Sequence, residues 1–346
     1  MSLFPTLCRL GFLLCLVISS AVAGAETPPP SGTFATWLKA FRSEALATGI
    51  GAETLDLALD GLAPIPRVVA LDRRQPEFTQ TFAQYIDARL SQSRIAAGQK
   101  ALADNRAALD AVAAAYHVQP RFIVAIWGME TNYGAFTGSF PVIAALATLA
   151  FDGRRSAYFR RELINALKIV DAGHITPAAM KGSWAGAMGQ AQFMPSSFLT
   201  FARDFDGDGR DDIWGSKADV FASIANYLAK NGWRDDQTWG RRVMLPSGFD
   251  EKLPGLAPAK PPRSCRRALK DHSRRLVLDE WQALGLRRLD GRDLPGRALA
   301  ASFVQPDGPG GMGFLTYGNY RSLLRYNCSN FYAAAVGLLA DRIAGR

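Results

Sequence analysis

Ile126-Trp127-Gly128-Met129-Glu130-Thr131-Asn132-Tyr133-Gly134 places a single carboxylate, Glu130, at the end of an otherwise apolar segment. Pro120 suits a first helical turn, where its missing N–H has no intrahelical acceptor, and Gly134 lies just past the apolar run. The spacing therefore predicts a helix from Pro120 to about Glu130. A carboxylate at that end faces the negative pole of the helix dipole, and Trp127 and Met129 limit its hydration; both effects disfavour ionisation. A carboxyl group that holds its proton near neutral pH is what general acid catalysis requires. Position alone does not separate this reading from an ordinary solvated glutamate at a helix end.

A second stretch bears on the choice: Lys181-Gly182-Ser183-Trp184-Ala185-Gly186-Ala187-Met188-Gly189-Gln190-Ala191-Gln192-Phe193-Met194-Pro195-Ser196-Ser197. Its small residues permit close approach of a ligand, and its amides and hydroxyls can bind sugar hydroxyls and N-acetyl groups. Taken alone, such a run is more often a packing turn. Together with Glu130 it closely resembles the catalytic core of the membrane-bound lytic transglycosylase B family, glycoside hydrolase family 103. The resemblance continues through residues 151–163, through Ala225-Asn226-Tyr227-Leu228, and through Tyr317-Gly318-Asn319-Tyr320-Arg321, Leu324-Arg325-Tyr326-Asn327 and Tyr332. It is weakest in the N-terminal helical region and between Gly232 and Leu299.

The resemblance implies a mainly helical α+β fold: a lysozyme-like catalytic core with an N-terminal helical region and a small β-containing insertion. It implies a groove for alternating N-acetylglucosamine and N-acetylmuramic acid. The family's active-site positions fall on Glu130 as the catalytic residue and on Ser183, Gln192, Tyr227, Tyr326, Asn327 and Tyr332 as substrate ligands. In such enzymes one glutamate acts first as acid and then as base, cleaving the muramic acid to glucosamine bond with formation of a 1,6-anhydromuramic end and no consumption of water. No cofactor is needed for that chemistry. The alternatives are a peptidoglycan hydrolase on the same fold, which would normally need a second carboxylate, and a non-catalytic wall-binding protein. Glu162, the nearest glutamate in sequence, follows Arg160-Arg161 and is expected in a structural ion pair.

Asp204-Phe205-Asp206-Gly207-Asp208-Gly209-Arg210-Asp211-Asp212 matches the first half of a calcium loop, with oxygen donors at positions 1, 3 and 5 and glycine at position 6. Position 12 of the loop 204–215 is Gly215 where an EF-hand needs a bidentate Glu, though Asp219 can supply a ligand from the next helix. The resemblance implies a comparable EF-hand-like loop. A structural Ca²⁺ held by Asp204, Asp206, Asp208, the Arg210 carbonyl and Asp219 is thus the expectation, against a metal-free acidic turn.

The remaining sequence sets the context. Arg9, the apolar run 10–18 and the small residues Ala21-Val22-Ala23 and Ala23-Gly24-Ala25 read as a secretion signal over 1–25, with cleavage expected after Ala25 and Ala23 as the second choice, against an uncleaved membrane anchor. Leu14 before Cys15 is too large for a lipobox. Residues 26–33, with Pro28-Pro29-Pro30, read as a flexible lead-in, and 34–116 as helical support interrupted at Pro64-Ile65-Pro66. The catalytic core is expected over 117–235, with helices from about Tyr158 to Asp171, from Thr176 and from Ala218 to Leu228. A proline-rich, partly β insertion follows over 236–300, and 301–346 returns to the core, ending in a helix from Phe331 to about Ile343 capped by Ser329 or Asn330. Cys8 and Cys15 leave with the signal, so Cys265 and Cys328 are expected to pair in an oxidising compartment.

The chain's formal charge of +9 favours an anionic partner. No zinc-finger spacing or aromatic-basic stripe points to nucleic acid. His117, His174 and His272 lack metalloprotease spacing, and no G-x-S-x-G motif is present. The expected product is a soluble monomer in the periplasm of a Gram-negative bacterium, without a further membrane span. Its expected partner is peptidoglycan, with cell-wall synthesis or division proteins as further candidates.

Overall fold

A computed structural model describes residues 32–74, 80–249, 256 and 264–346. The expected signal 1–25, most of the lead-in, and much of 250–263 lie outside these residues. Six helices form the N-terminal part: α1 (Phe34–Ala47), α2 (Ala52–Leu59), α3 (Pro66–Arg73), α4 (Phe82–Arg89), α5 (Gln92–Asp104) and α6 (Arg106–Tyr116). Local capping sets their starts. Thr33 Oγ1 accepts from Thr36 N, and Thr81 with Gln84 forms a reciprocal capping box. Pro66 opens α3 rather than merely interrupting a helix, because Pro at the first helical turn loses no hydrogen bond.

The centre of the molecule is α7 (Pro120–Thr131), buried at every residue from Arg121 to Thr131. Around it pack α5, α6, α11 (Lys217–Lys230) and α15 (Asn330–Ile343). Beside this group lie the paired α8 (Val142–Asp152) and α9 (Ser156–Asp171), then α10 (Pro195–Phe201). A two-stranded ribbon of β1 (Phe140–Pro141) and β2 (Lys181–Gly182) joins the segment after α7 to the glycine-rich loop, with Phe140 opposite Gly182. Residues 176–180 form turns and lead into β2, so the helix expected from Thr176 is absent; the pairing of residue 181 claims an extended backbone there.

The β-containing part holds β3 (Gly240–Val243), α12 (Arg266–Leu269), β4 (Leu276–Val277), α13 (Leu278–Ala283), β5 (Ala300–Val304) and β6 (Gly313–Thr316). The sheet is antiparallel in the order β3-β6-β5-β4. It therefore runs past residue 300 to Thr316, because β3 finds its partner in β6 far along the chain. Val243, Trp281, Phe303, Leu315 and Tyr317 form a small second core under it. Cys265 and Cys328 are joined by a disulfide with Cα atoms 5.1 Å apart, tying α12 to the turn between α14 (Gly318–Tyr326) and α15. This is the mainly helical, lysozyme-like α+β arrangement that the resemblance implies. Among the described residues no helix is long and apolar enough to cross a membrane.

The C-terminal helix meets the sheet region at one tight contact. A Cβ on Gly337 of α15 would fall 2.2 Å from Trp239 Cδ2, and the Trp239 indole is pinned by its N–H to Asp341 Oδ2 at 2.9 Å. Alanine normally stabilises a helix over glycine by about 1 kcal/mol, but overpacking here costs about 1–3 kcal/mol. We predict that Gly337→Ala lowers the Tm by several degrees in a thermal melt. An unchanged or higher Tm overturns this reading of the contact.

Candidate active site

Glu130 sits in the last turn of α7 and is only 6% exposed. The hydroxyl of Tyr332, in the first turn of α15, donates to Glu130 Oε1 at 2.5 Å. Burial raises the Glu130 pKa to about 7, while the Tyr332 hydrogen bond and the positive charge of Arg89 oppose that rise. The same burial, with the carboxylate beside them, lifts the Tyr332 and Tyr326 phenols well above their ordinary value, so both remain donors. No hydrogen bond or ion pair joins Glu130 to another carboxylate among the described residues.

The tyrosines form a row. Tyr326, at the end of α14, lies parallel to Tyr332 with centroids 6.4 Å apart, and Tyr227 of α11 follows at 4.7 Å from Tyr326. Each is held by its hydroxyl: Tyr326 donates to the Ala191 carbonyl at 2.7 Å and Tyr227 to the Arg325 carbonyl at 2.6 Å. Phe193 packs against both rings. Asn327 caps the C-terminus of α14 directly after Tyr326, its N–H on the Leu323 carbonyl at 3.1 Å.

Gln192 adopts a left-handed backbone (φ 49°) next to Ala191. Its amide donates to the Thr137 and Gly189 carbonyls at 3.0 and 2.9 Å, clamping the glycine-rich loop to the segment after α7. Ser183 lies at the other end of that loop, its Oγ accepting from Ala187 N at 3.1 Å. Glu130, Tyr332, Tyr326 and Tyr227 are thus linked directly, Gln192 and Asn327 through their chain neighbours, and Ser183 only through the loop.

Three participants are not among the site residues expected from sequence. Tyr85 of α4 lies 5.6 Å from the Phe331 ring and raises the Tyr332 pKa electrostatically; Arg89 places its guanidinium 5.3 Å from the Tyr85 ring centre. Both lie on α4, whose sequence carries only helical spacing. The third is Gln190, whose buried amide bridges Trp127 and Trp214. The ion pair expected at Glu162 does not form: its Oε2 accepts from Ser196 N at 2.9 Å and its Oε1 from Ser196 Oγ at 2.7 Å. Glu162 instead satisfies one open N–H in the first turn of α10 and the hydroxyl of the same Ser196, and Arg160 pairs with Glu44.

In the acidic loop, oxygens of Asp204, Asp206 and Asp219 lie within 4.8 Å of one another. Asp219 is buried and accepts from Phe205 N and Asp212 N, both at 2.8 Å, so it closes the loop on itself. Asp208 departs from the expected ligand set, since its Oδ2 pairs with the Arg210 guanidinium at 2.9 Å. The Arg210 carbonyl accepts from Asp212 N at 3.0 Å. Three hard oxygen donors so placed supply part of the roughly six to eight oxygen ligands that a cation such as Ca²⁺ takes.

Residues 33–341 match the family model described as Transglycosylase SLT domain. The chain belongs to this family. Membrane-bound lytic murein transglycosylase B of Escherichia coli (strain K12) is 35% identical over 242 residues, which are 66% of this chain and 58% of that protein. The match therefore spans less than two thirds of the relative. SltB3 from Pseudomonas aeruginosa, crystallised in complex with NAG-anhNAM-pentapeptide, is 45% identical and superposes with a TM-score of 0.83 over 91% of this chain and 80% of that one. The Escherichia coli lytic transglycosylase Slt35 in complex with calcium is 28% identical, with a TM-score of 0.71 over 89% of this chain and 92% of that one.

Glu130 gives this transglycosylase-family chain a signature in its stability. Between the ordinary carboxylate pKa of 4.5 and about 7 the folded chain holds a proton that the unfolded chain has released. Stability contributed by the bound proton is complete below about pH 4.5, falls as pH rises through 7, and changes no further above. A shift of this size corresponds to on the order of 3 kcal/mol. We predict that urea unfolding at pH 4.5 and pH 8 shows this loss in the wild type relative to Glu130→Gln. Parallel pH dependence in the two proteins overturns the assignment.

Proposed function

We propose that the chain is an exported lytic transglycosylase of the periplasm that cleaves peptidoglycan between N-acetylmuramic acid and N-acetylglucosamine. The observation that carries this reading is Glu130: one buried carboxyl group, raised to about 7 and bonded to a tyrosine hydroxyl. The anhydro-sugar peptide bound by SltB3 supports the product.

In the first half-reaction protonated Glu130 gives its proton to the glycosidic oxygen, and the C1–O bond breaks as glucosamine leaves. Positive charge develops at C1 of the muramic residue, where the substrate's own acetamido group can share it. In the second, the Glu130 carboxylate takes the proton from the C6 hydroxyl of that residue as O6 bonds to C1. The 1,6-anhydro ring closes and Glu130 is protonated again, so water is neither consumed nor released. A pKa near 7 suits both roles. The Tyr332 hydroxyl stabilises the carboxylate between the two steps. Gln192, Ser183 and Asn327 offer polar groups to the sugars, and Tyr326 and Tyr227 offer ring faces. Ca²⁺, when bound, would offset most of the charge on Asp204, Asp206 and Asp219 and fix the loop without entering the chemistry.

Two outcomes are expected. Digestion of purified peptidoglycan should yield muramic ends that resist borohydride reduction and have masses lower by one water, about 18 Da, than hydrolytic products. Glu130→Gln should retain glycan binding and lose roughly 10²–10⁴ in turnover. Reducible ends identify a hydrolase, and binding without cleavage by the wild type identifies a wall-binding protein. For the loop, Ca²⁺ should raise the Tm, with about 2.7 kcal/mol of stabilisation at a hundredfold excess over Kd. Asp204→Ala should abolish the gain, whereas Asp208→Ala should largely keep it. Identical melts in calcium and chelator remove the metal from the account.

A further inference from the structure

Gln190 belongs to neither the proposed catalytic set nor the acidic loop, yet it touches the elements that carry both. Its backbone N–H donates to the Ile213 carbonyl at 2.8 Å, and its side-chain Nε2 donates to the Trp214 carbonyl at 2.7 Å. Its Oε1 accepts from the Trp127 indole N–H at 2.9 Å, and its carbonyl accepts from Thr131 Oγ1 at 3.0 Å. Trp127 and Thr131 flank Glu130 on α7. Ile213 and Trp214 lie in the last turn of the acidic loop, and Asp212 Oδ1 holds Trp214 N at 2.9 Å while Asp219 holds Asp212 N at 2.8 Å. A continuous hydrogen-bonded path thus runs from Asp219 through Asp212 and Trp214 to Gln190, and from there to the final turn of α7.

The chemistry at position 190 admits little else. An indole N–H only donates and a carbonyl only accepts, so the bridging side chain must present one acceptor and one donor in a fixed sense. Glutamate has no donor when ionised and would oppose its lone pairs to the Trp214 carbonyl. The site is also closed from the side: a Cβ on Gly134 would lie 2.4 Å from Gln190 Oε1.

We propose that Gln190 is a positioning residue that couples the order of the acidic loop to the placement of Glu130. The effect on turnover rests on the lytic transglycosylase reading; the structural coupling does not. Hydrogen–deuterium exchange separates the two. In the presence of chelator, Asp219→Asn should speed exchange in the peptide covering residues 127–135, and in a Gln190→Leu background the same change should add nothing there. Should Gln190→Leu not fold, Gln190→Glu takes its place, keeping the acceptor for Trp127 and losing the donor to Trp214. Unchanged exchange at 127–135 in Asp219→Asn, or an equal increase with and without Gln190, overturns the proposal. In peptidoglycan digestion the Gln190 variant should lose up to roughly 10²-fold in kcat, the scale of a small misplacement at a reacting centre. KM should be preserved, and the Glu130 limb of the pH profile should shift. A wild-type kcat and pH profile in a folded Gln190 variant also overturns it. If the wild type itself fails to cleave peptidoglycan, the functional reading falls while the exchange experiment still decides the coupling.

Discussion

The bond between the Tyr332 hydroxyl and the buried Glu130 carboxyl, made between the end of α7 and the start of α15, is the constraint on which the rest of the site depends. An isolated carboxylate in an apolar interior is costly, so burial alone would hold Glu130 protonated and useless as a base. A full counter-ion would hold it ionised and useless as an acid. A neutral donor at hydrogen-bond distance, with Arg89 acting more weakly, leaves the two states close in free energy near pH 7.

That balance requires Tyr332 to stay in place, and the fold supplies several anchors. Ser329 caps α15 through Tyr332 N. Asn330 donates to the Ala268 carbonyl at 2.8 Å and is met by the Tyr320 hydroxyl and the buried ring of His272. Burial holds the His272 pKa down to about 4, so the ring is neutral and its contact with Asn330 does not titrate near neutral pH. The Cys265–Cys328 disulfide closes the same corner from the other side. The small β region thereby supports the start of the helix that tunes Glu130, which gives the sheet a part in the site although none of its strands contributes a proposed sugar ligand.

Much of this was legible from residues close in sequence. Pro120 and the apolar run through Met129 define α7, and Ser329 and Asn330 mark the start of α15, because capping and helical periodicity are local rules. The family resemblance marked the tyrosines, since it rests on residue identity. What sequence did not disclose depends on pairing across distance. β3 with β6, Glu162 with Ser196 and Arg160 with Glu44 are choices among many chemically acceptable partners. Asp208 matched a calcium position by spacing, yet Arg210 two residues on competes for its carboxylate. Gln190 and Gln192 look alike in sequence. Only the fold directs one toward Trp127 and Trp214 and the other toward Thr137.

The reversal of the chain after Glu130 shows how tightly local strain is tied to the site. Asn132, Tyr133 and Gly134 are consecutive left-handed residues, with φ of 50°, 61° and 85°. Such a conformation is unfavourable for a bulky side chain and persists only where packing enforces it. Here the enforcement is visible. The Tyr133 hydroxyl donates to the Arg94 carbonyl at 2.8 Å, and a Cβ on either Gly98 or Gly128 would lie 2.5 Å from an atom of the Tyr133 side chain. Two helix glycines, each unfavourable for helix stability on its own by about 1 kcal/mol, thus leave the slot that Tyr133 fills between α5 and α7. Filling it turns the backbone away immediately after Glu130, so the carboxyl group ends its helix beside Tyr332 instead of being covered by a further turn. Straightening that reversal would move Thr131 and Gly134 together, because the Gly134 N–H is held by Thr131 Oγ1 at 3.1 Å. The strain at Asn132 and Tyr133 and the position of the proton-bearing group are therefore one structural variable.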